Sequence, residues 1–259
     1  MFRHSKIPLG IFEAPRLRNM LKYCQFNSVI IFDLDNTVIE STQALCSDQW
    51  FVGLLKYAAT MITDEAEVRT LVLSIYHAAQ HYAKMQKVEK NTLKIINALQ
   101  AIGLPVIALT ARSTSIAEPT LRQLKDIDLA FSKNLYPKSL AIHNNENKSS
   151  TYRDGIIFCD GCNKGAILIN FFKQIGFRPL HIVMVDDQLK NLNTVQSFLE
   201  PSGIPFAGLR YAFLDLKTQQ VDLLAANQQL QTIIEMLPIE AQEAAYKLQL
   251  IDSKSSLKP

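Results

Sequence analysis

No stretch of this sequence comes near the roughly 20 consecutive apolar residues that a membrane-spanning helix needs. The start, Met1 to Pro8, is basic, yet no apolar segment follows it as a secretory signal would require. Cysteine is scarce: Cys24, Cys46, Cys159 and Cys162 do not make a disulfide framework in a chain of 259 residues. These absences predict a cytoplasmic protein without a transmembrane segment, with export by a route lacking a cleaved signal left open. Charge of one sign is missing too, since 27 Lys and Arg face 24 Asp and Glu for a net charge of +3. With no basic stripe interleaved with aromatics, no nucleic-acid partner is expected. Only 9 Gly and 10 Pro, against 48% hydrophobic residues, exclude disorder and collagen. No repeat of fixed period occurs. What remains is a chain long enough for one full core, with or without a small inserted subdomain.

Ser28 to Asp33 is a β-branched and aromatic run without alternation, the pattern of a strand buried on both faces of a parallel sheet. Val106 to Thr110 and His181 to Asp187 repeat it, and Pro205 to Tyr211 is a weaker fourth case because of its Pro and Gly. Between them the apolar period becomes helical. Val88, Leu93, Ile96 and Leu99 form one stripe, and Lys164 to Gln174 reads as a helix stopped by Gly176. Strands alternating with helices predict an α/β doubly wound parallel sheet.

Glu40 to Gln86 reads as a helical insert after the first strand, holding Trp50, Tyr57, His77, His81 and Tyr82. After the second strand, a helix near Glu118 to Lys125 starts at a capping-like Ser115. His143 to Ser150 reads as a polar surface loop, and Gly155 to Cys159 as a strand, one arm of a hairpin. The region Val221 to Leu250 is helical around Pro238, with a frayed tail from Asp252 to Pro259. The expected division is residues 1–39 and 88–259 as the core with C-terminal helices, and 40–87 as an inserted cap.

Three strand ends carry the chemistry: Asp33 and Asp35 after the first, Thr110 after the second, Asp186 and Asp187 after the third. Ligands of open α/β sheets bind at that edge. Four carboxylates converging there repel one another unless a cation intervenes, and an oxygen-only donor set favours Mg2+. In an extended segment, residues i and i+2 point the same way, so Asp33 and Asp35 can share a substrate while Leu34 turns into the core. One carboxylate can attack phosphorus while the other handles a proton. Thr110 supplies a hydroxyl, and Lys164, at a helix start, supplies an ammonium for developing phosphoryl charge.

The run Asp33 to Thr37 resembles the first motif of the haloacid dehalogenase (HAD) superfamily of aspartate-nucleophile phosphohydrolases. Ala108 to Thr110 resembles its second motif, Lys164 with Gly165 its third, and Val185 to Asp187 its fourth, in the family's order across roughly Asn27 to Tyr211. The chain is also similar to a poorly characterised HAD branch represented in intracellular bacterial pathogens, through Phe32 to Thr37, Tyr152 to Phe158 and Asp186 to Leu192. The resemblance implies a three-layer HAD-like (Rossmannoid) parallel sheet, with a helical cap after strand one and a smaller insert after strand two. It implies that Asp33 is the nucleophile and that Asp35 is the acid and base. Thr110 and Lys164 then bind phosphoryl. Mg2+ is held by Asp33, the Asp35 carbonyl, Asp186 and Asp187. The acid at position 35 points to phosphatase rather than dehalogenase chemistry.

The expected function is therefore a Mg2+-dependent phosphomonoester hydrolase. Its substrate is a phosphorylated small molecule or phosphoprotein, and its oligomeric state is left open. The alternative is a HAD-fold binding module or secreted effector that docks a host protein or lipid with little or no catalysis. Bland readings stand beside the sharp ones. Thr110 or Asp187 could be a helix cap, and Lys173 and Lys190 compete with Lys164 for the cation role. Cys159 and Cys162 have redox or zinc spacing, but the Asp160 and Gly161 turn between them explains the pair equally well. His77 and His81 have metal-ligand spacing on a face that also suits packing. Arg112 is placed to contact a substrate phosphate or to lie on the rim.

Overall fold

The computed structural model describes residues 8–131, 139–143, 149–220 and 222–251. The basic start, most of the polar loop before Ser150 and the tail from Asp252 lie outside the described residues. In chain order the strands are β1 (Gly10–Ala14), β2 (Ser28–Phe32), β3 (Ile39–Ser41), β4 (Met85–Lys87), β5 (Val106–Thr110), β6 (Ser139–Ile142), β7 (Ser150–Arg153), β8 (Ile156–Phe158), β9 (His181–Asp186) and β10 (Phe206–Tyr211). The helices are α1 (Asp48–Met61), α2 (Glu65–Gln80), α3 (Thr92–Ala101), α4 (Ala117–Lys125), α5 (Lys164–Gln174), α6 (Leu189–Leu199), α7 (Asp215–Thr218), α8 (Leu223–Ile233) and α9 (Ile239–Lys247).

Eight strands form one sheet in the order β1-β10-β9-β2-β5-β8-β7-β6, and β3 pairs with β4 separately. From β1 to β8 all neighbours are parallel, so their carboxyl ends share one edge; β7 runs antiparallel to β8 and to β6. The chain is thus an α/β protein with a mostly parallel sheet. Every residue of β2, β5 and β9 is buried, which is why these strands show no alternation. Val29, Ile31, Ile107, Leu109, Ile182 and Met184 pack with Ile167, Leu168, Phe171, Leu192 and Val195 of α5 and α6. The alternate residues Ile30, Phe32, Val106, Ala108, Val183 and Val185 are equally buried, outside that cluster. Gly165 lets α5 meet α6: a Cβ there would lie 2.7 Å from the Thr194 carbonyl oxygen.

The structure differs from the sequence reading at several points. After β5 the chain returns to the sheet and adds β6 and β7 beside β8, the strand expected over Gly155 to Cys159. The β7–β8 hairpin turns on Asp154 and Gly155, both at positive φ, as a two-residue turn demands. Helix α4 begins after Ser113 caps a short 3-10 turn, and Ser115 bonds Ser113 instead of forming the expected box. Helix α3 starts at Thr92, not Val88, whose N–H bonds the Val38 carbonyl. Just before it, Glu89 accepts from Leu17 N–H at 2.6 Å and from the Tyr211 hydroxyl at 2.7 Å. Strand β1, short and opened by Gly10, carries no alternation and escaped detection; it covers the edge of β10.

The chain groups into two units, Met1–Glu40 with Lys87–Leu214, and Ser41–Gln86 with Asp215–Pro259. Sequence periodicity placed the C-terminal helices with the sheet at 88–259. They instead group with the insert because α8 packs on α1 and α9 on α2. The Tyr82 hydroxyl donates to the Met236 carbonyl and Gln229 accepts from Leu45 N–H, both at 2.8 Å. Ser47 and Asp64 cap α1 and α2 through their side chains. Trp50, fully buried, lies 5.9 Å from the ring of Tyr76, which also meets Phe51. Most of the insert's aromatics therefore serve this helical core. Pro238 sits at the N-cap of α9, where its missing N–H costs nothing.

Candidate active site

Strand β2 ends at Phe32, and beyond it the chain winds around one carbonyl. The N–H groups of Thr37, Val38 and Ile39 all approach the Leu34 oxygen, at 3.2, 2.9 and 3.0 Å. Asn36 takes the left-handed conformation at φ 58, which asparagine tolerates. Leu34 is buried, as the sequence suggests. Because the extended geometry has ended, Asp33 and Asp35 meet different cations.

Asp33 accepts from Lys164 Nζ at 2.7 Å, and the same ammonium reaches Asp186 Oδ2 at 2.8 Å. Lys164 opens α5 and is buried, whereas Lys190 is exposed; of the competing lysines it alone is seen bridging these carboxylates. Asp186 closes β9 with no exposure. Its two oxygens receive the Asn191 amide at 3.0 and 3.1 Å, and Oδ1 also takes Gln188 N–H at 2.8 Å. Asp187 stands beside it, its N–H donating to the Thr37 hydroxyl at 3.2 Å and its carboxylate accepting from Gln188 Nε2 at 2.9 Å. It is not the N-cap of α6, a place held by Gln188.

Burial pushes the Asp33 carboxyl well above the usual carboxylate range; Lys164 opposes this, and Asp186 and Asp187 reinforce it. For Lys164 burial favours the neutral amine, but the two carboxylates outweigh it and hold the ammonium above its ordinary value. Asp33, Asp186 and Asp187 each offer an oxygen within 4.8 Å of the others. Three carboxylate oxygens against one ammonium leave negative charge in a poorly hydrated place. This oxygen-only set fits a hard divalent cation. The Asp35 carboxylate is not part of that cluster, nor are His77, His81 or the cysteine pair, among the described residues.

Arg112 is neither on a rim nor open to solvent: it is 6% exposed. Its Nε and Nη2 reach the two oxygens of Asp35, each at 2.8 Å. Its third nitrogen, Nη1, donates to Thr120 at 2.9 Å and Gln123 at 2.7 Å, both buried on α4. Thr110, buried at the end of β5, accepts from Arg112 N–H at 3.2 Å and caps no helix. Cys159, Asp160 and Gly161 donate their N–H groups to the carbonyls of Thr110, Arg112 and Ala111. Asp160 and Gly161, at φ 54 and 70, make the tight turn between two buried thiols, and burial raises the Cys159 thiol. The turn reading accounts for that pair.

The sequence reading missed the Asn191 support and the Arg112 fork. Leu189, Leu192, Val195 and Leu199 have helical spacing, which would have put Asn191 in the first turn of a helix returning to Asp186. No comparable signal marks Arg112, whose partners come from separate elements.

A family model described as "Protein of unknown function (DUF2608)" matches residues 14–243, and the chain belongs to that family. A relative from Chlamydia trachomatis is 23% identical over 73% of this chain and 70% of its own length; it is named "Putative outer membrane protein". A relative from Chlamydia pneumoniae with the same wording in its name is 23% identical over 75% and 72%. An uncharacterized protein of Rickettsia prowazekii is 24% identical over 79% and 77%. These names overturn the expectation of a cytoplasmic protein, although no helix among the described residues is long and apolar enough to cross a membrane. Among solved structures, a haloacid dehalogenase-like family hydrolase from Streptococcus pneumoniae aligns with 75% of this chain and 99% of its own. It has 14% identity and a TM-score of 0.41. A hydrolase from Pseudomonas syringae aligns with 74% and 98%, at 12% identity and a TM-score of 0.41.

Proposed function

We propose that this chain is a Mg2+-dependent phosphomonoester hydrolase of the HAD type that works through a phospho-aspartate on Asp33. The observation that carries the reading is Lys164 bridging Asp33 and Asp186 beside Asp187, at the carboxyl edge of a parallel sheet. Asp33, Asp186, Asp187 and the Asp35 carbonyl would hold the metal, which would supply positive charge against the carboxylates and the phosphoryl oxygens.

Asp33 attacks phosphorus in line as Asp35 gives a proton to the departing ester oxygen. Asp35 then takes a proton from the water that opens the acyl phosphate. Lys164 and the Thr110 hydroxyl bind the phosphoryl oxygens while charge builds on them. Before the reaction the buried Lys164 ammonium is held in its charged form by its two carboxylate partners. The substrate is a phosphorylated small molecule or a phosphoprotein.

The test is hydrolysis of an aryl phosphate by the wild-type chain with Mg2+, with EDTA, and by Asp33→Asn. Turnover with Mg2+ that disappears in both controls, by about 1,000-fold or more for the variant, is the expected outcome. Turnover that survives Asp33→Asn sinks the phospho-aspartate reading.

A further inference from the structure

We propose that Arg112 is the positioning residue for Asp35, setting the direction from which the departing oxygen receives its proton. The inference rests on the reading of Asp35 as proton donor given above. The geometry that carries it is a fork rather than a point contact. Two parallel N–H bonds of 2.8 Å fix both the place and the plane of the Asp35 carboxyl. Each oxygen uses one lone pair on the guanidinium and keeps another. The Asp35 side chain is 21% exposed while that of Arg112 is 3% exposed, so the carboxyl end of the pair is the one that solvent reaches.

The fork is itself held from behind. Nη1 is locked by Thr120 and Gln123, and the Arg112 backbone is tied to the Thr110 hydroxyl and to Asp160 N–H. Asp35, by contrast, lies in the turn after β2, which by itself leaves its χ angles free. A buried arginine is costly to keep if stability is its only purpose. Placing an acid within a fraction of an ångström of its target is a purpose that matches the fork, since small misplacements cost orders of magnitude in rate.

In the step concerned, an Asp33 oxygen forms a bond to phosphorus as the phosphorus–ester oxygen bond breaks. The Asp35 proton goes to the oxygen that leaves, and Asp35 ends as a carboxylate. A leaving group that is already a stable anion needs no such proton. The expected signature of a misplaced acid is therefore selective loss on poor leaving groups.

The experiment compares kcat/KM for an alkyl phosphate and for dinitrophenyl phosphate, using Mg2+-loaded wild type, Arg112→Ala, Arg112→Lys and Thr120→Val. Arg112→Ala is expected to lose about 100-fold or more on the alkyl ester and less than about 10-fold on the dinitrophenyl ester. Arg112→Lys, which cannot make the fork, recovers only part, and Thr120→Val shifts both values in the same pattern but less. In an Asp35→Asn background, Arg112→Ala adds no further selective loss. Equal losses on both esters, no loss, or additive losses would overturn the proposal while leaving the phospho-aspartate reading in place. Should Arg112→Ala not fold, as judged by its melting transition, the lysine and Thr120 variants carry the comparison. Wild type that hydrolyses neither ester with Mg2+ overturns both.

Discussion

At the scale of single residues, electrostatics in a dry interior decides more than position in the sequence. His181 opens β9 away from the acidic cluster, is 2% exposed, and shares Nδ1 with the Ser28 hydroxyl at 2.8 Å. Its Nε2 has no hydrogen-bond partner among the described residues, and burial lowers its pKa below the ordinary 6.5. Below pH 6.5 the unfolded chain binds a proton here that the folded chain refuses. Stability is therefore lost as pH falls from 6.5 toward the folded value, by at most ~1.4 kcal/mol per pH unit. Urea denaturation at pH 7.5 and 5.5 should show a smaller drop for His181→Asn than for wild type. An equal drop would mean that this imidazole is not the source. The same scale shows what a sequence can tell of a site. Asp33, Lys164, Asp186 and Asp187 each end or follow a strand or open a helix, so topology alone brings them near one another. Asp35 and Arg112 meet through side-chain directions fixed only when the turn after Phe32 winds around the Leu34 carbonyl. No periodicity records that.

At the scale of elements, the strands and helices that the sequence announced clearly are those with nothing to choose between their two sides. The middles of β2, β5 and β9 are apolar without alternation because both faces are covered, and α5 begins and ends at the residues its pattern indicates. The elements missed are edges and short pieces. β1 and β6 have one unpaired side and mixed exposure, so neither alternation nor an apolar run marks them. Helix α3 was read four residues too long at its start, because Glu89 finds partners in the N-terminal segment and in β10. Close approach of α5 and α6 gives a prediction of its own kind. In Gly165→Ala the new methyl meets the Thr194 carbonyl at 2.7 Å and the Phe198 ring at 2.9 Å. The gain in helix propensity, about 1 kcal/mol, is outweighed by overpacking against a backbone atom that cannot rotate aside. A net loss of about 1–2 kcal/mol in urea unfolding is expected. A variant as stable as wild type would show that the two helices separate freely.

At the scale of the whole molecule, the division into units does not follow chain order. Ser41–Gln86 leaves the sheet early, and its helical partners arrive only after Asp215. The sequence announces the insert by its length and period, but not that the last helices complete it. Both segments are helical, and period alone does not name a partner. Trp50 is the only tryptophan of the chain and lies in this helical unit. Ending the chain after Leu214 removes α8 and α9, which pack on α1 and α2. The emission of Trp50 should then shift to longer wavelength and become open to quenching by iodide. An unchanged spectrum would mean that α1 and α2 shield the indole unaided.

Strand β1 does one further thing by lying along β10. Without Gly10–Ala14, β10 would present a full row of unpaired peptide groups at the margin of the sheet. That margin carries Phe206, Leu209 and Tyr211, a β-prone composition well suited to joining another such strand. The first described residues are thus a sheath: a short, partly polar strand ending in Glu13 and Ala14 that keeps an adhesive border out of reach. Trimming the N terminus past Ala14 would leave that side of β10 as the margin of the sheet.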